Sequence, residues 1–198
     1  MKKIIFVNFL ILYLLSSLII TLSSIIVDIY KSNKTTFYND TRSELPNYNK
    51  INWAKKHFEE FNSLKTSYYD YIIWRRNDFK GDTVTIKNGY RLNNNQENFK
   101  LNKDIWVFGG STTWGTGSNN ENTIPALIEK ISGISTLNLG ETGYETTQQL
   151  NLLIRELVKH KPKMVIFYNG VNVLGKCRKN VHYFASGGQE NFIKSKLD

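Results

Sequence analysis

A serine stands directly after an apolar run in Phe108-Gly109-Gly110-Ser111-Thr112-Thr113-Trp114-Gly115. Glycines there permit a sharp turn at a strand end and leave a hydroxyl exposed, which is what a nucleophilic serine requires. Two other glycine-bearing segments follow apolar runs in the same way: Asn138-Leu139-Gly140-Glu141-Thr142-Gly143-Tyr144 and Tyr168-Asn169-Gly170-Val171-Asn172. If the three runs are strands of one sheet, their loops converge around Ser111. Other chemistry is poorly provided for. The three histidines are separated, and Cys177, the single cysteine, lies in a basic stretch without a glycine elbow. No metal-ligand spacing, internal disulfide or cysteine nucleophile is expected, and no cofactor is implied.

The elements that must position these loops alternate in period. Ile105-Trp106-Val107-Phe108, Thr136-Leu137-Asn138-Leu139 and Met164-Val165-Ile166-Phe167-Tyr168 read as buried strands. Residues 124–131 read as a helix, and residues 146–160 as a longer amphipathic one through Leu150, Leu153, Ile154 and Leu157. Such alternation implies parallel strands joined by right-handed crossovers, an α/β layered fold that binds ligands beyond the carboxyl ends of its strands. Upstream, Trp53, His57, Phe61 and Leu64 follow helical spacing, which makes His57 a core-facing or half-buried histidine. Tyr68 to Arg76 is dense in aromatics and ends in two cations, suited either to line a substrate groove or to pack beside a sheet. Residues 82–86 read as a short strand and Asn88-Gly89 as a tight turn.

The three loops together resemble those of the SGNH/GDSL-type hydrolases. Gly109-Gly110-Ser111-Thr112 resembles the block that carries the nucleophile, so the resemblance makes Ser111 that residue. Asn138-x-Gly140-x-x-Gly143 resembles the second block and implies that the Gly143 N–H is an oxyanion donor. Gly170-Val171-Asn172 resembles the third and implies the same of the Asn172 amide. The likeness covers about residues 104–174, and the Tyr68-x-x-Tyr71-x-x-x-Arg75-Arg76 lead-in is similar to that of some membrane-anchored bacterial members. It implies a three-layer, flavodoxin-like parallel sheet and an ester hydrolase or acyl transferase acting on acylated carbohydrate or lipid at the cell envelope. Gly110 stands where many members have Asp, Val173 where Asp usually follows, and no Asp-x-x-His occurs after Asn172. The expectation is therefore a chain that carries the N-terminal part of such a domain and has little activity by itself. The alternative is a catalytically inactive relic or binding protein of the same fold.

A base for Ser111 is hard to find. His160 precedes Lys161-Pro162 at a helix end, where it complements the helix dipole and faces away from the strand tips. His182 follows the third loop and is the surrogate candidate, without a carboxylate to orient it. A nucleotide-binding reading, with Gly109-Gly110 and Gly115-x-Gly117 as the phosphate loop and Glu141 on a ribose, fails on spacing and on bulky Trp114.

Residues 4–27 form a 24-residue run without charge. At ~1.5 Å per residue it reaches ~36 Å, enough for a hydrocarbon core of ~30 Å. An uncleaved single-pass anchor is expected, placing the protein in the cytoplasmic membrane with its domain on the extracytoplasmic side. Residues 33–49 are polar and aperiodic and read as a juxtamembrane linker. The formal charge of +9 comes from scattered runs such as Lys55-Lys56 and Arg75-Arg76, which read as solvated faces without any nucleic-acid module around them. The partners expected are a membrane, from the apolar run, and, as the resemblance implies, an acylated small-molecule, glycan or lipid substrate, and not nucleic acid. The organisation expected is residues 1–30 as anchor, 31–100 as linker and helical, aromatic lead-in, and 101–198 as the N-terminal part of the hydrolase domain.

Overall fold

The computed structural model describes residues 2–36, 40–95, 98–170 and 172. The chain divides into two units, Met1–Thr41 and Arg42–Asp198. The first is one helix, α1 (Lys2–Thr36). Within it Ile4–Tyr30, 27 residues with a mean hydropathy of 2.5, is long and apolar enough to cross a membrane. Its few hydroxyls turn inward along the backbone: Ser16 and Ser17 donate to Tyr13 O and Leu14 O, Thr21 and Ser23 to Ser17 O and Ile19 O. A helix surrounded by lipid must satisfy its polar groups within itself, and these bonds do so.

The second unit is mixed α/β. After a 3₁₀ turn at Thr41–Glu44 come α2 (Ala54–Ser63), a hairpin of β1 (Thr66–Tyr69) and β2 (Ile73–Arg76), and a small antiparallel sheet of β3 (Phe79–Lys80), β4 (Thr85–Lys87) and β5 (Tyr90–Arg91). The α/β part follows: β6 (Ile105–Gly109), the single-turn α3 (Ser111–Trp114), α4 (Ile124–Ser132), β7 (Thr136–Gly140), α5 (Thr146–Leu157) and β8 (Met164–Tyr168). The three long strands lie parallel in the order β7-β6-β8, with Gly109 beside both Gly140 and Tyr168. Their carboxyl ends are thereby level. Trp106, Val107 and Phe108 on the central strand are wholly buried, as a strand covered on both faces must be.

The alternating half matches the sequence reading, with α5 ending at Leu157 instead of residue 160. The upstream half differs in three places. Part of the stretch expected as linker belongs to the folded unit: Tyr48 packs edge-on against Phe58 and donates to Gly117 O at 2.8 Å, and the Arg42 guanidinium lies 4.5 Å over the Phe58 ring. The strand expected at residues 82–86 begins only at Thr85, because the N–H groups of Asp82, Thr83 and Val84 all donate to the Glu60 carboxylate. Arg75 and Arg76, expected on a solvated face, are buried. The turn at Asn88-Gly89 is as read, with φ of 51° and 76° at its two residues and two-residue hairpin pairing around it. His57 is core, as expected: it is wholly buried, donates from Nε2 to Thr116 O at 2.8 Å, and burial lowers its pKa from 6.5 to about 4.

Candidate active site

Ser111 is the first residue of α3, immediately past β6, and is half-exposed. It lines a cavity of about 370 Å³ with Gly110, Thr112, Tyr144, Tyr168, Asn169, Gly170 and Asn172. Each of the three strand-end loops therefore contributes to one cleft, as the sequence implied. Among the described residues the Ser111 hydroxyl and N–H have no hydrogen-bond partner, and the first turn of a helix offers no acceptor to the N–H.

The loop after β7 is more informative, because nearly all its backbone donors are engaged. Gly140 N–H donates to Asn138 Oδ1 at 3.0 Å, Glu141 N–H to Gly109 O at 3.1 Å, and Thr142 N–H to Glu141 Oε1 at 2.7 Å. Tyr144 N–H donates to Glu141 O at 3.1 Å and Glu145 N–H to Gln148 Oε1 at 3.2 Å. Only the Gly143 N–H has no acceptor among the described residues. Gly143 sits at φ 81°, a left-handed conformation that glycine adopts without strain and that turns its amide out of the internal pattern.

Asn172 comes from the third loop. Its Nδ2 donates to Tyr144 O at 3.0 Å, and a Cβ added at Gly110 would lie 2.6 Å from that nitrogen. The amide therefore rests against the backbone just before Ser111 and just after Gly143. A carboxamide nitrogen carries two N–H groups, so the bond that orients Asn172 leaves one donor for the cleft. Gly110, where many of the resembled proteins carry Asp, provides the space for it.

Two residues that sequence reading did not single out hold the Gly143 loop. Arg76 Nε donates to Glu141 Oε1 at 3.0 Å and Nη2 to Thr142 Oγ1 at 3.3 Å. The Tyr144 hydroxyl donates to Trp74 O at 2.6 Å. Burial pushes the Glu141 carboxyl upward, opposed by Arg76 and the Thr142 N–H, and burial likewise pushes the Tyr144 hydroxyl well up, which keeps it a donor. The only local signal was the Arg75-Arg76 pair beside Trp74, since the partners lie some 65 residues further on.

The described histidines do not reach the cleft. His57 is engaged with Thr116 O, and His160 Nδ1 lies 2.7 Å from Asn102 Oδ1, near the start of β6 and thus at the opposite sheet edge. His182 lies outside the described residues, as does Cys177. Among the described residues no cluster of His, Cys, Asp and Glu suited to a metal occurs. No protein-family model matches the chain, and no curated protein matches it.

Proposed function

We propose that the chain is a membrane-anchored SGNH-type ester hydrolase or acyl transferase, acting on acylated carbohydrate or lipid on the extracytoplasmic side of the cytoplasmic membrane. Its parallel sheet belongs to a three-layer, flavodoxin-like domain. Ser111 Oγ attacks the ester carbonyl and gives up its proton to a base. The carbonyl oxygen takes the negative charge and is met by the N–H groups of Ser111 and Gly143 and the Asn172 amide. Fixed donors of this kind contribute most of the stabilisation in acyl transfer, and losing one costs ~3–4 kcal/mol in the transition state. The observation that carries the reading is the Gly143 N–H, the one donor of its loop without an acceptor among the described residues, set beside an Asn172 amide held next to Ser111.

The test is aryl-acetate hydrolysis by the full chain beside its Ser111→Ala and Asn172→Ala variants. Low turnover that disappears in the first and drops ~10²–10³-fold in the second is expected; turnover that survives Ser111→Ala refutes the nucleophile. A second reading, an inactive binding protein of the same fold, is favoured by one observation: neither described histidine faces the cleft. A serine without a base is a poor nucleophile. Complete absence of Ser111-dependent turnover selects that reading.

A further inference from the structure

The Arg76 guanidinium touches two of the three loops that would supply oxyanion donors. On one side it is bonded to Glu141 and Thr142 of the Gly143 loop. On the other its Cζ lies 4.5 Å from the centre of the Trp114 ring, at the end of the helix that Ser111 begins. The hairpin that carries Arg76 is itself tied to the same region. Tyr144 and Gln148 donate to the carbonyls of Trp74 and Ile72, and Asn151 to that of Tyr71. These bonds flank Ile73, a β-branched residue at φ 81°, a conformation that persists only when its surroundings impose it.

The Arg76–Glu141 pair is 9% and 5% exposed. Removing both charges from water costs about as much as their attraction returns, so such a pair is weak evidence of stabilisation for its own sake and apolar replacements are often neutral. What it supplies here is geometry. A planar fork has fixed directions, and it engages a carboxylate and a hydroxyl on one loop while stacking on the indole of the other. A lysine would carry the charge without the fork.

We infer that Arg76 is a positioning residue that sets the distance between Ser111 and the Gly143 N–H by clamping the Gly143 loop to the Trp114 helix. This rests on the acyl-transfer reading above. A displacement of about 1 Å between such groups can reduce turnover ~10²-fold, and because the substrate pocket itself is untouched the loss falls on kcat with KM nearly unchanged.

The test uses the full chain in nanodiscs, with Arg76→Lys and the double variant Arg76→Met/Glu141→Gln, which removes both members of the buried pair. Aryl-acetate kinetics and the ¹⁵N spectra of glycine amides and tryptophan indoles are read on each. Expected are kcat reductions of ~10–10²-fold in both variants with KM within about twofold, folding midpoints close to the parent for the double variant, and joint displacement of the Gly143 amide and Trp114 indole signals. Unchanged kcat in Arg76→Lys, or Gly143 and Trp114 signals that stay in place, overturns the inference. If the parent chain has no Ser111-dependent turnover, the proposed function fails by itself and the two signals alone decide whether Arg76 couples the loops.

Discussion

Protonation of His57 should loosen the turn that follows Ser111. The ring is wholly buried, its Nε2–H is bonded to Thr116 O, and the Thr116 N–H is bonded in turn to Ser111 O at 3.1 Å. Burial, reinforced by the Arg91 and Arg42 charges and opposed by the Thr116 bond and Glu60, lowers the pKa from 6.5 to about 4. In the unfolded chain the imidazole takes its proton near pH 6.5, and in the folded chain only near pH 4. Between these values the unfolded state binds more protons, so stability is intact above pH 6.5 and is lost as the pH falls towards 4. Each pH unit in that window removes up to ~1.4 kcal/mol, for a total of ~3 kcal/mol, a large part of the ~5–15 kcal/mol that holds a typical domain together. Urea unfolding followed by tryptophan fluorescence at pH 7, 6 and 5 measures it. Two buried carboxyls are also perturbed: burial raises Glu60 but the hydrogen bonds from Thr83, Asp82 and Val84 outweigh it and lower it, while burial pushes Glu141 up. The comparison is therefore with His57→Gln, which keeps an N–H for Thr116 O but does not titrate. The parent should lose stability relative to the variant as the pH falls. Parallel curves for the two proteins would refute the buried, neutral histidine.

Two glycines make contrasting predictions. A Cβ on Gly140 would lie 2.5 Å from Trp114 N and 2.9 Å from Thr113 C, backbone atoms that cannot swing aside. Gly140→Ala should lower stability by ~1–3 kcal/mol or more, as overpacked sites do, and an unchanged urea midpoint would show that α3 does not pack on β7 this closely. A Cβ on Gly110 meets only the tip of Asn172, so Gly110→Ala should cost about 1 kcal/mol for the displaced bond to Tyr144 O. In the acyl-transfer reading the same change reduces aryl-acetate turnover by ~10²-fold or more, because an oxyanion donor moves. Parent-like kcat in a folded Gly110→Ala protein would count against Asn172 as that donor.

The α/β half was legible because parallel strands buried on both faces leave continuous apolar runs, and each such run here ends in a glycine-bearing loop. Ile105–Gly109, Thr136–Gly140 and Met164–Tyr168 coincide closely with the runs read from sequence. Beyond α2, whose helical spacing was legible, the upstream half follows no clear period. Its segments are held by side chains that act far along the chain, as when the Glu60 carboxylate takes three consecutive backbone donors and so prevents Asp82, Thr83 and Val84 from joining a strand. Arg91 is a second case: its Nη1 donates to Trp114 O at 3.0 Å and its Nε to Asn120 Oδ1 at 3.1 Å, across 23 and 29 residues. Composition counts such a residue as surface charge, although it is almost wholly buried.

The site itself was legible in kind and not in detail, and the reason lies in how donors are distributed. Motif spacing can suggest which glycine faces the cleft, but it cannot say whether that glycine's N–H is free, because this depends on what its neighbours have bonded. Here Glu141 decides the matter. Its carboxylate accepts from Thr142, its carbonyl accepts from Tyr144, and its own N–H donates to Gly109 O, leaving the Gly143 N–H as the loop donor without an acceptor among the described residues. The carboxylate holds that pose because Arg76 meets it in the interior. The property that distinguishes Gly143 is thus set by a cation in the aromatic lead-in, a stretch for which sequence alone favoured plain packing over groove-lining.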